Sequence, residues 1–138
     1  MERQKAVVDA SVVAKWFLEE RHSEEARVLR DSFAKGMLSL AVPGLMFYET
    51  LNVLRYAGLY TEDELAEVAM ALSEYGFEMW GPSGKLLEET ASMSLRYDIT
   101  VYDASYVALA MHLDIPLYSA DMELVKKELA RHFTSFRQ

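Results

Sequence analysis

Cysteine is absent from the 138 residues, which removes disulfides, thiol catalysis and cysteine–zinc sites together. No apolar run approaches the length of a membrane span, so no membrane partner is expected. Met1-Glu2-Arg3-Gln4-Lys5 leads directly into an apolar stretch and leaves no room for a signal peptide. The expectation is a soluble, cytoplasmic protein. Histidine is scarce, and His22, His112 and His132 show no ligand spacing, which argues against a zinc enzyme. His132 reads instead as a residue at a helix C-terminus. Positive charge is also short: the net charge is −8, and the lack of a basic patch weakens a simple charge-driven nucleic-acid binder. The deficit is uneven, since residues 1–58 hold eight acids and eight bases while residues 59–98 hold nine acids and two bases. Most of the chain therefore stays free to meet an anion, and an enzyme that reaches phosphate through metal ions is not excluded.

What is present begins with length and apolar content. At 138 residues and 51% hydrophobic, the chain is one globular domain, residues 1–138, with a full core. Ala6-Val7-Val8-Asp9-Ala10-Ser11-Val12-Val13 reads as a fully buried strand interrupted by a single carboxylate. Parallel strands deliver ligands at their carboxyl ends, which is where Asp9 stands. Asp is also a preferred N-cap, so capping of the next helix is an equal reading of Asp9 from this stretch alone.

Further along, Val12 to Leu18 reads as a short helix, and Ser23 as the N-cap of a helix closed by Gly36. A strand follows over Leu38–Val42, then a helix over Leu45–Ala57 ended by Gly58. Thr61 and Glu64 form a capping box for a helix to about Tyr75. Phe77–Trp80 reads as an edge strand, and Pro82-Ser83 opens a helix to about Tyr97. A helix over Asp103–Leu113, a strand over Pro116–Ser119 and a last helix over Met122–His132 complete the pattern. Strands separated by helices imply an α/β fold with a small, mostly parallel sheet of about four to five strands, covered by helices on both faces.

Four acids fit this pattern poorly as surface charges. Glu49 lies in a helix apolar on nearly every face, on one stripe with Leu45, Asn52, Val53 and Tyr56. Such a helix should be buried, and a buried carboxylate needs a counter-charge. No arginine is evidently committed to that face, which favours a metal over a salt bridge. Asn52 is the only asparagine in the chain, and mid-helix is a poor place for one. Asp103 starts a second apolar helix, and Asp121 follows a strand directly; an N-cap role is open for both. Gathered at one sheet edge, four carboxylates repel one another and raise their pKa values unless a cation sits among them. All-oxygen ligands select Mg²⁺ or Mn²⁺.

The chain resembles the PIN-domain ribonucleases, especially the VapC-type toxins. The matching pieces are Val7-Val8-Asp9-Ala10-Ser11, Pro43-x-x-x-x-x-Glu49-x-x-Asn52-x-Leu54, Tyr102-Asp103-Ala104-x-Tyr106-Val107-Ala108-x-Ala110 and Ser119-Ala120-Asp121, in the family's order. This resemblance implies a PIN-like fold and metal-dependent endoribonuclease activity, with Mg²⁺ or Mn²⁺ held by Asp9, Glu49, Asp103 and Asp121. It places Ser11, Asn52 and Ser119 behind these acids, with Ser119 where many relatives have threonine. Glu123 is the only candidate for the further acid some relatives carry. In-line attack on phosphorus would leave a 5′-phosphate and a 3′-hydroxyl. Lys15, Arg21 and Arg27 are candidates to meet an RNA backbone, with solvated surface charge as the plainer reading.

The resemblance also implies a homodimer, with the helices of residues 44–75 as the candidate interface, and a small antitoxin protein. An open carboxylate cluster invites a peptide whose arginine or lysine enters the site while apolar residues dock beside Glu49. A housekeeping RNA-processing nuclease and a catalytically silent assembly module are the alternatives. A haloacid-dehalogenase-type enzyme wants a second aspartate at position 11, which is Ser11. A receiver domain wants adjacent acids after the first strand and a lysine after the last, and neither is evident. Tyr56, Tyr60, Tyr75, Phe77 and Trp80 read as core or subunit contacts before an RNA-stacking platform.

Overall fold

The computed structural model describes residues 3–137. Five strands form one all-parallel sheet: β1 (Gln4–Val8), β2 (Leu38–Pro43), β3 (Glu78–Trp80), β4 (Leu117–Ser119) and β5 (Arg131–His132), in the order β3-β2-β1-β4-β5. The helices are α1 (Ala10–Val13), α2 (Ser23–Ala34), α3 (Leu45–Ala57), α4 (Glu62–Glu74), α5 (Gly84–Tyr97), α6 (Val101–Leu113) and α7 (Met122–Lys126), with 3₁₀ turns at Ala14–Trp16 and Phe133–Ser135. Successive strands step away from β1 to one side as far as β3, and then the chain returns to its other side as β4. That reversal makes the β1–β4 boundary the topological switch point, where open α/β sheets bind ligands.

β1 is central, and Val7 and Val8 are fully buried, as a strand covered on both faces requires. α6 lies against β1, β2 and β4 and pairs with α5, which covers it on the outside. Trp16, Phe33, Tyr75 and Phe77 form one aromatic cluster, with Trp16 and Phe77 stacked at 6.0 Å and Phe33 and Tyr75 at 6.1 Å. Tyr60 anchors its loop through a hydroxyl that donates to the Phe17 carbonyl. These aromatics are core; Tyr56, by contrast, is exposed and carries Arg55 over its ring.

Local signals in the sequence were followed closely where they rest on backbone chemistry. α3 ends at Gly58, and the Thr61–Glu64 capping box opens α4 with both reciprocal hydrogen bonds. Gly36, at φ +76, closes α2, and the Met37 N–H returns to the Ser32 carbonyl.

Four expectations change. Ser23 is the first residue of α2 rather than its cap; its hydroxyl donates back to the Leu18 carbonyl, and His22 takes the cap position at φ +67. α6 begins two residues early because Thr100 is its cap, accepting from the Asp103 N–H. The last helix stops at Lys126, where Glu128 turns at φ +61 and the Leu129 N–H bonds the Leu124 carbonyl. His132 therefore ends the edge strand β5 rather than a helix. Finally, α3 is not buried throughout: Met46, Thr50 and Leu54 face the core, while Tyr48, Val53 and Tyr56 are exposed.

Candidate active site

Asp9 follows β1 directly and caps α1, accepting from the Ser11 N–H at 3.1 Å. The capping and chemical readings of this residue thus coincide in one geometry. The Ser11 hydroxyl donates to Oδ1 and the Ser119 hydroxyl to Oδ2, each at 2.5 Å. Each serine oxygen in turn accepts a backbone N–H from the β4–α7 connection, Ser11 from Ala120 at 3.0 Å and Ser119 from Asp121 at 2.9 Å. The ends of β1 and β4 are therefore joined across the switch point, and the Asp9 carboxylate is clamped on both oxygens. It is 6% exposed, and burial pushes its pKa from 3.8 up to about 6, with the serine bonds opposing the shift and the charge of Asp103 adding to it.

Glu49 extends from the second turn of α3, which β2 delivers to the same edge. It is half-buried, and burial raises its pKa against the pull of a hydrogen bond from Tyr106, with Asp103 again adding to the rise. Asp103, in the first turn of α6, is raised first by burial and then by the charge of Asp121, while its bond with Thr100 opposes. Asp121 caps α7 by accepting from the Glu123 N–H at 2.9 Å. Asp103 thus interacts electrostatically with Asp9, Glu49 and Asp121, and the structure brings the four acids to one edge of the sheet. Among the described residues no three acidic side chains converge into a finished cation cage.

Of the supporting residues, Ser11 and Ser119 hold Asp9 directly. Asn52 is exposed on α3 and makes no hydrogen bond to the acids among the described residues. Glu123 is close enough to raise the pKa of Asp103, yet it pairs with Lys127 at 3.1 Å. Within the protein, the group that holds Glu49 is Tyr106, whose hydroxyl donates to Oε1 at 2.6 Å. Tyr106 is 2% exposed, and burial together with Glu49 drives its pKa upward, so it remains a donor. Its signal in the sequence was its place three residues after Asp103, on the same face of α6.

The PIN domain profile matches residues 6–128, nearly the whole chain. The chain belongs to the PIN domain family. In this PIN chain the matched span contains Asp9, Glu49, Asp103 and Asp121 together with Ser11, Tyr106 and Ser119. It is 34% identical over 128 residues to Ribonuclease VapC3 of Pyrobaculum aerophilum, covering 89% of this chain and 94% of that relative. Among solved structures it is similar to a crystal structure from Pyrobaculum aerophilum, with TM-score 0.63, 25% identity, and coverage of 96% of this chain and 92% of that one. A chain of a toxin–antitoxin complex from Klebsiella pneumoniae shares the PIN fold, with TM-score 0.70, 16% identity, and coverage of 93% and 97%.

Proposed function

We propose that this chain is an endoribonuclease that requires Mg²⁺ or Mn²⁺ and acts in the cytoplasm as the toxin of a toxin–antitoxin pair. The observation that carries the reading is the gathering of Asp9, Glu49, Asp103 and Asp121 at the sheet's switch point, with the first three raised in pKa. An all-oxygen donor set crowded with negative charge fits a hard divalent cation. These four residues would hold it. When bound, such an ion lowers the pKa of a coordinated water toward neutrality and stabilises charge on the leaving oxygen. The remaining work falls to the protein. Ser11 and Ser119 fix the plane of the Asp9 carboxylate, and Tyr106 fixes Glu49, so the outward lone pairs of both keep one direction. The 34% identity to a relative named as a ribonuclease supports RNA as the substrate.

An apolar groove of about 720 Å³ supports the antitoxin partner. Leu45, Tyr48, Leu51, Trp80, Leu86 and Tyr102 are among its lining, and Tyr48 and Tyr102 are the immediate neighbours of Glu49 and Asp103. A peptide docked there can extend an arginine to the carboxylates. Exposed Tyr56, Leu59 and Met70, on and after α3 and on α4, support a homodimer through residues 44–75.

The test is cleavage of single-stranded RNA by purified protein with Mg²⁺ or Mn²⁺, and its arrest by EDTA. Persistent cleavage in EDTA, once contaminating nucleases are excluded, overturns the metal requirement. For the toxin role, the product of the neighbouring gene is expected to bind and to inhibit cleavage. Binding that leaves cleavage unchanged overturns inhibition at the site, and the absence of any binding neighbour favours a housekeeping nuclease.

A further inference from the structure

Beside the acids, at the same edge of the sheet, lies a pocket of opposite character. It encloses about 380 Å³ and is lined by Arg21, His22, Met122 and His132. Its position follows from the register: His132 on β5 pairs with Ser119 on β4, whose hydroxyl holds Asp9, and Met122 follows Asp121 directly. β5 lies one strand spacing, ~5 Å, from β4 and two from β1, so the pocket lies outward of the acid edge.

The connection that carries Arg21 is strongly constrained. Lys15 Nζ donates to the Arg21 carbonyl at 3.1 Å, the Ser23 hydroxyl donates to the Leu18 carbonyl at 2.6 Å, and Arg27 donates to that same carbonyl at 3.1 Å. The neighbouring cations are neutralised: Lys15 pairs with Glu20 at 3.0 Å and Arg27 pairs with Glu19. Arg21 has no carboxylate partner among the described residues; its Nε donates to His22 Nε2 at 3.2 Å, which leaves both terminal nitrogens free. His132 adds a second donor. Its Nδ1 is held by Thr134, 2.6 Å from Oγ1 and 3.4 Å from the backbone nitrogen, and in the tautomer whose Nδ1 accepts both bonds Nε2 carries the ring proton.

We infer that Arg21 and His132 form a phosphate-binding subsite that receives an RNA phosphodiester next to the one being cleaved. The inference rests on the ribonuclease reading and adds to it a route for the strand, running from the acid edge over β4 toward β5. It also accounts for how a chain of net charge −8 holds a polyanion, through one local uncompensated cation.

The test uses the full chain with Mg²⁺ and a single-stranded oligoribonucleotide. KM and kcat are measured for cleavage, and the salt dependence of binding is measured by fluorescence anisotropy on an Asp9→Asn background. Arg21→Ala is expected to raise KM roughly five- to tenfold with kcat little changed. It is also expected to reduce the slope of log affinity against log salt by about 0.7, the loss of one single-strand phosphate contact. His132→Ala is expected to raise KM in the same direction, and Arg21→Lys to recover part of the loss. Lys35→Ala removes an equal charge at the far end of α2 and is expected to change neither quantity. An unchanged KM and salt slope in Arg21→Ala, or an equal change in Lys35→Ala, overturns the subsite while the wild-type protein still cleaves RNA. A wild-type protein that neither binds nor cleaves RNA overturns the ribonuclease reading instead.

Discussion

Asp9→Asn separates the structural and chemical roles of the most buried acid. Folding raises the Asp9 pKa from 3.8 to about 6, so the folded state binds a proton more tightly than the unfolded state. At pH above about 6 the buried charge then opposes folding by roughly 3 kcal/mol, and this penalty disappears as pH falls below the unfolded value. Asparagine keeps the shape and loses the charge. Its amide, however, places an N–H against one serine oxygen that already accepts from Ala120 or Asp121, which forfeits about 1 kcal/mol of hydrogen bonding. The net expectation at pH 7.5 without divalent ions is a stabilisation of about 2 kcal/mol. Near pH 4 the difference should vanish or reverse. Urea denaturation followed by circular dichroism at both pH values measures it. Mg²⁺ should raise the melting temperature of the wild type and leave Asp9→Asn nearly unmoved, since a ligand stabilises only the state that binds it. A variant that is less stable than wild type at pH 7.5 in EDTA, by more than about 1 kcal/mol, refutes the electrostatic reasoning and makes Asp9 a cap alone.

Tyr106→Phe removes only the hydroxyl that orients Glu49; affinity for Mg²⁺, followed through the activity titration, is expected to fall about 10-fold or more with the fold retained. An unchanged titration would show that Glu49 needs no orienting partner. The homodimer is expected to appear in light scattering at micromolar concentration and to be weakened by Tyr56→Asp, and a monomer at that concentration counts against it. Glu128→Gly relieves a left-handed residue at φ +61 and is expected to stabilise the protein by about 1 kcal/mol in thermal melts. A loss of stability there would mean that the Glu128 side chain contributes more than its backbone strain costs.

The sequence by itself determined whatever depends on neighbours along the chain. The Thr61–Glu64 box, the glycine stops after α2 and α3 and the buried β1 rest on local hydrogen bonds and apolar pattern, which a linear reading can follow. Asp9, Glu49, Asp103 and Asp121 stand out as candidates for the same reason: each is a charge where the local pattern demands burial or a turn. The cap of α6 was misread because Thr100 and Asp103 both suit an N-terminus, and only the backbone chooses between them. The short α7 and the strand β5 escaped because Arg131–His132 is strand only through its pairing with Tyr118 and Ser119. Tertiary structure decided which distant partner each acid meets. Ser119 meets Asp9 across 110 residues, and Tyr106 meets Glu49 across 57. No periodicity encodes such distances, because they follow from strand order. Tertiary packing likewise exposed Asn52 on α3 and set Arg21 beside His132, two residues with no shared pattern in the chain.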